Sequence, residues 1–193
     1  FNPLGDIINS APLYVGASRL NLTNSSYRRY QEATLARPKM VYVGANDGML
    51  HAFDAETGEE VFTYIPKGVQ HKLSALTDPS YGSENHQYFV DGSVTIHEVK
   101  FPDGQYKTVL VGGLGAGGKG YFALDVTCAG RLRTSDSACD NSTLASPADL
   151  VLWDKTLATG DLTTDPDLGA SYGKPQSGKV CMTAFSPASP CDP

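Results

Sequence analysis

The sequence predicts an all-β chain of antiparallel four-stranded blades, a partial ring of a β-propeller with quinoprotein-like repeats. Three observations lead there. Short runs of alternating, β-branched or aromatic residues recur along the chain, punctuated by Gly, Asn and Asp. The meander that contains VYVG and AFD (41–54) returns as VLVG and ALD (109–125). A leading strand precedes each meander, which makes four strands per unit, and tandem units of that kind build propellers.

Taken in order, GDIINSAPLYVG (5–16) is the first leading strand, and SSYRRYQEATLA within the polar connection 17–38 predicts a short capped helix. KMVYVGA is a strand, and Asn46, Asp47 and Gly48 form a tight turn because these residues tolerate positive φ. MLHAFDA returns, Glu56, Thr57 and Gly58 reverse the chain again, and VFTYIPK is the outer strand. After a polar connection (66–87), YFVDGSVTIHEV leads the second unit. YKTVLVGG, the glycine turn LGAGGKG, YFALDVT and, after an insertion, ADLVLWDKT complete it. DLGASYGKPQ begins a third.

Asp6, Asp91 and Asp167 stand near the heads of the units, 85 and 76 residues apart (91 − 6 and 167 − 91). From first Val to Asp the spacing is 13 (54 − 41) and then 16 (125 − 109), so the longer glycine turn absorbs three residues. The propeller arc therefore runs over 1–176, with blades at about 5–66 and 87–155 and the start of a third at about 167–176. A Cys-containing tail or insertion follows at 177–193. Val41, Val43, Leu50 and Phe53, then Val109, Val111, Phe122 and Leu124, are expected to pack sheet on sheet between blades. Two units and a start leave faces uncovered, so the ring is expected to be completed by further chain or by neighbouring subunits.

The stretch 113–119 spells G-x-x-x-x-G-K, as a phosphate loop does. A phosphate cradle runs into a helix, whose terminal amides hold the anion. Here YFALDV follows, which reads as a strand, and Lys119 precedes Gly120 rather than Ser or Thr. Gly113, Gly115, Gly117 and Gly118 are therefore turn glycines that permit positive φ and close backbone approach, without a bound nucleotide.

Composition narrows the function. The 193 residues are 40% hydrophobic and carry a net charge of −6, and the one basic pair is Arg28-Arg29. Such a surface repels nucleic acid. No apolar run approaches the roughly 18 residues of a membrane span. FNPLGDIINSAP lacks the charged and apolar regions of a signal peptide, so Phe1 reads as internal to a longer precursor. Cys128, Cys139, Cys181 and Cys191 contain no C-x-x-C pair. Of their three pairings the close intervals favour Cys128–Cys139 and Cys181–Cys191, which would imply an oxidising compartment.

No catalytic constellation is visible. His51 alternates with Met49 and Phe53 on one strand face and reads as a packed, hydrogen-bonded histidine, with no second His or carboxylate at ligand spacing. His71 and His86 lie in a polar connection, and Ser10, Ser93 and Ser171 lack a nucleophile elbow. Tyr42, Tyr64, Tyr88 and Tyr121 read as strand packing residues, whereas Tyr27 and Tyr30 around Arg28-Arg29 form the one exposed aromatic–basic cluster. Asn21, Asn24 and Asn141 begin N-glycosylation patterns that read as polar loops.

GDIINSAPLYVG, VYVGANDGMLHAFDAETGEEVFTYIP, YFVDGSVTIHEV, TVLVGGLGAGGKGYFALDVT and DLGASYGKP, in that order, resemble the C-terminal β-propeller of the type IV pilus tip-associated adhesins, the PilY/PilC group. The resemblance implies a non-enzymatic adhesion and pilus-biogenesis module, secreted through the periplasm to the cell surface and pilus tip. Its implied partners are minor pilin subunits and host-surface or abiotic ligands. It also implies calcium dependence, through a D-x-D-x-D-G loop. That loop is absent here: Asp161, Asp165 and Asp167 in DLTTDPD have neither its spacing nor its glycine, so no cofactor is expected within this chain. The pattern departs from the family after Pro175. Alternatives are a quinone-dependent dehydrogenase propeller, disfavoured by a single Trp (Trp153) and no adjacent cysteine pair, and a periplasmic outer-membrane assembly scaffold.

Overall fold

Extended segments separated by Gly- and Asn-containing turns pair most simply with their sequence neighbours. The chain accordingly forms two four-stranded antiparallel meanders, β1-β2-β3-β4 and β5-β6-β7-β8. The computed structural model describes residues 4–18, 20, 22–82, 85–129, 147–157 and 167–176. The first sheet contains β1 (Leu13–Val15), β2 (Met40–Gly44), β3 (Leu50–Asp54) and β4 (Glu60–Tyr64). The second contains β5 (Val94–Lys100), β6 (Tyr106–Gly113), β7 (Tyr121–Asp125) and β8 (Val151–Asp154). Helices α1 (Ser25–Leu35) and α2 (Lys67–Gln70) lie in connections.

The sheets pack face to face. Met40, Tyr42, Leu50, Ala52 and Phe62 of the first meet Leu110, Phe122 and Leu124 of the second in one continuous core. Across it the rings of Tyr64 and Phe122 approach to 5.2 Å. This corrects the expected packing set. Leu50, Phe122 and Leu124 do belong to it, but Val41, Val43 and Phe53 pair with one another and with His51 on the opposite face of the first sheet. Val109 and Val111 likewise occupy the outward face of the second. Side chains alternate along a strand, so a one-residue error in parity exchanges the faces. Blades carry apolar residues on both faces, and hydrophobicity alone therefore does not mark which face meets which neighbour.

The registers also re-phase the repeat. Gly44 closes β2 opposite Leu50, and Gly113 closes β6 opposite Tyr121. A bulge falls at Ala52/Phe53 in one sheet and at Ala123/Leu124 in the other. The Ala-x-Asp segments correspond as expected, but Val41–Gly44 corresponds to 110–113 rather than 109–112. The joining turns are 45–49 and 114–120, so the glycine turn is two residues longer, not three. Asp6 is not the counterpart of Asp91. Leu13, opposite Tyr42, matches Thr95, opposite Val111, 82 residues later (95 − 13), so the position of Asp91 is held in the first unit by Asn9. Asp167 is out of phase too: a Cβ on Gly44 would meet the Val90 carbonyl, and one on Gly113 would meet that of Ser171, so Ser171 matches Val90. Aspartates are common in turns, and matching them by letter shifted the phase.

The predicted helix has a second use. Asn24 caps α1 by accepting from Tyr27 N (2.8 Å), and Tyr27, Tyr30 and Thr34 face inward at helical spacing. The helix leaves the first sheet and closes over the second: Tyr27 Oη donates to Glu98 Oε2 (2.6 Å), and Tyr30 Oη bonds Thr108 Oγ1 (2.6 Å). Just beyond it, buried Arg37 donates through Nε to Gly16 O (2.8 Å) and through Nη1 to Thr108 Oγ1 (2.6 Å) and Thr127 O (3.1 Å). Tyr27 and Tyr30 are thus core residues on a helix, not an exposed loop cluster; only the intervening arginines face solvent. Burying two aromatic faces against the second sheet outweighs leaving them in water.

Candidate interaction surfaces

The β2–β3 turn does more than reverse the chain. Gly48 takes φ +95° there, a conformation open to glycine. Asn46 is buried; its Oδ1 accepts from Phe89 N (3.0 Å) and its Nδ2 donates to Asp6 Oδ2 (2.9 Å). Asp47 accepts from Gly5 N (2.9 Å) and Met49 N (3.1 Å). Both sheets' leading segments are therefore fastened to this one turn.

Against it stands His51, with Nε2 2.9 Å from Asp47 Oδ2 and Nδ1 2.5 Å from Glu60 Oε1. Its ring stacks on Phe53. Burial works to lower the pKa of His51, but the bonds and charges of Asp47 and Glu60 override this and hold it above its ordinary value. Burial opposes the charge of Asp47, yet the bonds from His51 and the amide of Gly5 keep its carboxyl below the usual range. His51 is packed and bonded as read from sequence, but with two carboxylate partners that linear spacing hid. His86 also gains one, Asp6 Oδ2 at 3.0 Å, while His97 meets Thr95 Oγ1 and His71 is exposed. Among the described residues, no group of three or more His, Cys, Asp or Glu is placed to hold a metal ion.

The glycine stretch joins β6 to β7. Gly113 ends β6, and 115–117 form a single 3-10 turn with Gly115 at φ +59°. A Cβ on Gly117 would fall on the Phe89 carbonyl, and one on Gly118 would press Leu114. Lys72 Nζ clamps the loop from outside, donating to Gly117 O (2.7 Å) and to Tyr88 O and lying over the Phe89 ring. Two amides of the loop are taken up by main chain: Gly115 N donates to Ser171 O (3.1 Å) and Gly117 N to Leu114 O (2.9 Å). Ser10, Ser93 and Ser171 all bind main chain, with Oγ accepting from Gly44 N, Ala11 N and Gly120 N respectively. Tyr88 departs from expectation, lying exposed outside any strand.

The outward face of the second sheet carries a groove of about 480 Å³ among Val109, Val111, Tyr121, Trp153, Leu168 and Pro175. Trp153 is 41% exposed there. By register Trp153, opposite Ala123, is the counterpart of Phe62, opposite Ala52. Phe62 lies buried beneath the second sheet.

Cys128 is buried and disulfide-bonded. Cys139, Cys181 and Cys191 lie outside the described residues, as do Asp161, Asp165, Asn21, Asn141 and the tail 177–193. No helix among the described residues is long and apolar enough to cross a membrane.

Comparison with known proteins gives a consistent picture. The family described as the PilY1 beta-propeller domain matches residues 4–186. A type IV pilus biogenesis factor PilY1 homolog of Xylella fastidiosa is 44% identical over 162 residues, covering 80% of this chain and 12% of that protein. The type IV pilus biogenesis factor PilY1 of Pseudomonas aeruginosa UCBPP-PA14 is 41% identical over 180 residues, 89% of this chain and 14% of that protein. The crystal structure of the Pseudomonas aeruginosa PilY1 C-terminal domain matches with a TM-score of 0.55 and 36% identity, over 84% of this chain and 28% of that one. The chain thus spans a small part of the length of these relatives.

Proposed function

This chain belongs to the PilY1 β-propeller family, and from that premise we propose that it is a non-enzymatic structural arc of a type IV pilus biogenesis factor. The observation that carries the reading is the family match over residues 4–186, which takes in both sheets. Within it, the outward face around Trp153 is assigned to the docking of a further sheet of the same kind. The first sheet's counterpart residues, Met40, Tyr42, Leu50 and Phe62, are covered by the second sheet in just this manner. Continuity of an existing interface, rather than a soluble ligand, accounts for the groove.

The finer reading places the module on secreted pili, between periplasm and cell surface, with pilin subunits and surface ligands as partners and adhesion as its second role. A disulfide at Cys128 suits an oxidising compartment. Calcium, where the longer protein uses it, is assigned to segments outside this chain. The test is an in-frame deletion of the segment corresponding to this chain from the full gene. Surface piliation should fall to the level of a strain lacking the whole protein, and attachment per remaining pilus should fall as well. Normal piliation would overturn the biogenesis reading; lost piliation with unchanged attachment per pilus would remove adhesion alone.

A further inference from the structure

The first sheet carries an ionisable device that the second does not. His51 follows Leu50 at the start of β3, and its counterpart in β7 is Phe122. Phe122 makes an apolar contact with Tyr64 across the sheets. His51, by contrast, is only 4% exposed and meets a carboxylate at each ring nitrogen. A neutral imidazole has one N–H, so it can donate to only one of them; an imidazolium donates to both.

We infer that His51 is a proton-operated latch: its second proton ties the β2–β3 turn to the start of β4, and loss of that proton loosens the lead-in segment 4–12 from the first sheet. The connection to the lead-in runs through Asp47, which accepts from Gly5 N, and through its neighbour Asn46, whose N donates to Asp6 O (3.0 Å). The lead-in also spans the sheets, since Asn9 and Ala11 donate to Asp91 and Ser93. The surroundings leave few other titrating groups. Val43 on β2 and Thr63 on β4 stand opposite His51, and Phe53 stacks beside it. Asp47 and Glu60 supply the charge, with Glu59 next to Glu60 and the Asp6–His86 pair one step away through Asn46. The Lys39–Glu56 pair belongs to the far end of the hairpin.

The sign follows from the partners. A histidine whose pKa is raised on folding contributes fully below 6.5, and its contribution is lost as pH climbs through the raised value. The test is an NMR titration of His51 in the intact chain, with hydrogen exchange of peptides covering 4–12 and 58–64 between about pH 6 and about pH 9. His51 should titrate above 6.5. Protection of both peptides, corrected for intrinsic base catalysis, should fall together by up to about tenfold per unit of pKa elevation. His51→Phe, which installs the residue found at the matching position of β7, should leave protection flat across the same range. Glu60→Gln should move the step to lower pH. A His51 pKa at or below the ordinary value, or an unchanged pH response in His51→Phe, would overturn the latch.

Discussion

Asn9 and Asp91 occupy the same position in consecutive units and are bonded to each other, Asn9 N to Asp91 Oδ1 at 3.2 Å and Asn9 Nδ2 to Asp91 Oδ2 at 2.7 Å. Equivalent residues of two blades thus meet at their leading segments, where the lead-ins of neighbouring units converge. Asp91 is 1% exposed, and a buried carboxylate is stable only while donors surround it.

Removing those donors should therefore cost more than removing the charge. Asn9→Ala is expected to destabilise by about 1–3 kcal/mol in urea unfolding, since it removes the side-chain donor to Asp91 Oδ2 and leaves the main-chain N of residue 9 on Oδ1. Asp91→Asn should cost less, because Asn9 can turn its amide and accept from the new one. The reverse order would show that Asp91 is held by groups other than Asn9.

Two tyrosines of the first sheet make opposite predictions for the same substitution. Tyr42 Oη is buried without a hydrogen-bond partner among the described residues, and burial pushes its pKa up. Tyr64 Oη donates to Asp154 Oδ2 at 2.6 Å, a carboxylate that also accepts from Lys67 N at 2.9 Å and so links the outer strands. Tyr42→Phe should be neutral or stabilising by up to about 1 kcal/mol, and Tyr64→Phe should cost about 1.5–3 kcal/mol, read by chemical denaturation. Equal losses would mean that Tyr42 Oη has a partner after all.

Stability should peak at mildly acidic pH. Burial opposes the charges of Asp6 and Asp47, but bonds from Asn46 and His86 to the one, and from His51 and Gly5 N to the other, hold both carboxyls below 3.8. Depressed carboxylates stabilise the fold above that value, and the contribution disappears as pH falls through their folded pKa values. His51 acts with the other sign, contributing fully below 6.5 and losing its contribution as pH rises. Urea midpoints across pH should fall on both sides of the interval between 3.8 and 6.5. In His51→Phe the alkaline decline should flatten, while the acid decline should shrink toward the part carried by Asp6, because Asp47 loses its bond from His51.

Strands, turns and the helix were legible because each is announced locally: Gly48 beside Asn46 makes a hairpin, and Asn24 caps a run with aromatics at helical spacing. What sequence could not assign was parity and partnership. Val43 and Tyr42 are adjacent and both apolar, so which of them meets the second sheet is decided by the neighbouring blade. Arg37 and His51 find their partners across gaps of up to 90 and 9 residues, which no spacing rule joins. A clue to the helix face existed: Tyr27, Tyr30 and Thr34 repeat at i, i+3 and i+7, a buried stripe rather than an exposed cluster.

The final prediction concerns the groove at Trp153. If that face awaits a following sheet, the isolated chain should bury it against another molecule, because an aromatic-lined apolar face in water favours association. Sedimentation of the isolated chain should then show reversible self-association that deepens with concentration. Trp153→Asp should shift it toward monomer, since a carboxylate on a docking face costs desolvation without a partner. Leu35→Asp provides the control: Leu35 is 68% exposed at the end of α1, away from the groove, and its replacement should leave association unchanged. Far-UV circular dichroism of both variants should match the unsubstituted chain, which separates loss of docking from loss of folding. A chain that stays monomeric at every concentration, or one in which Leu35→Asp disperses it as well as Trp153→Asp, would remove the second sheet's outward face as the place where the next blade docks.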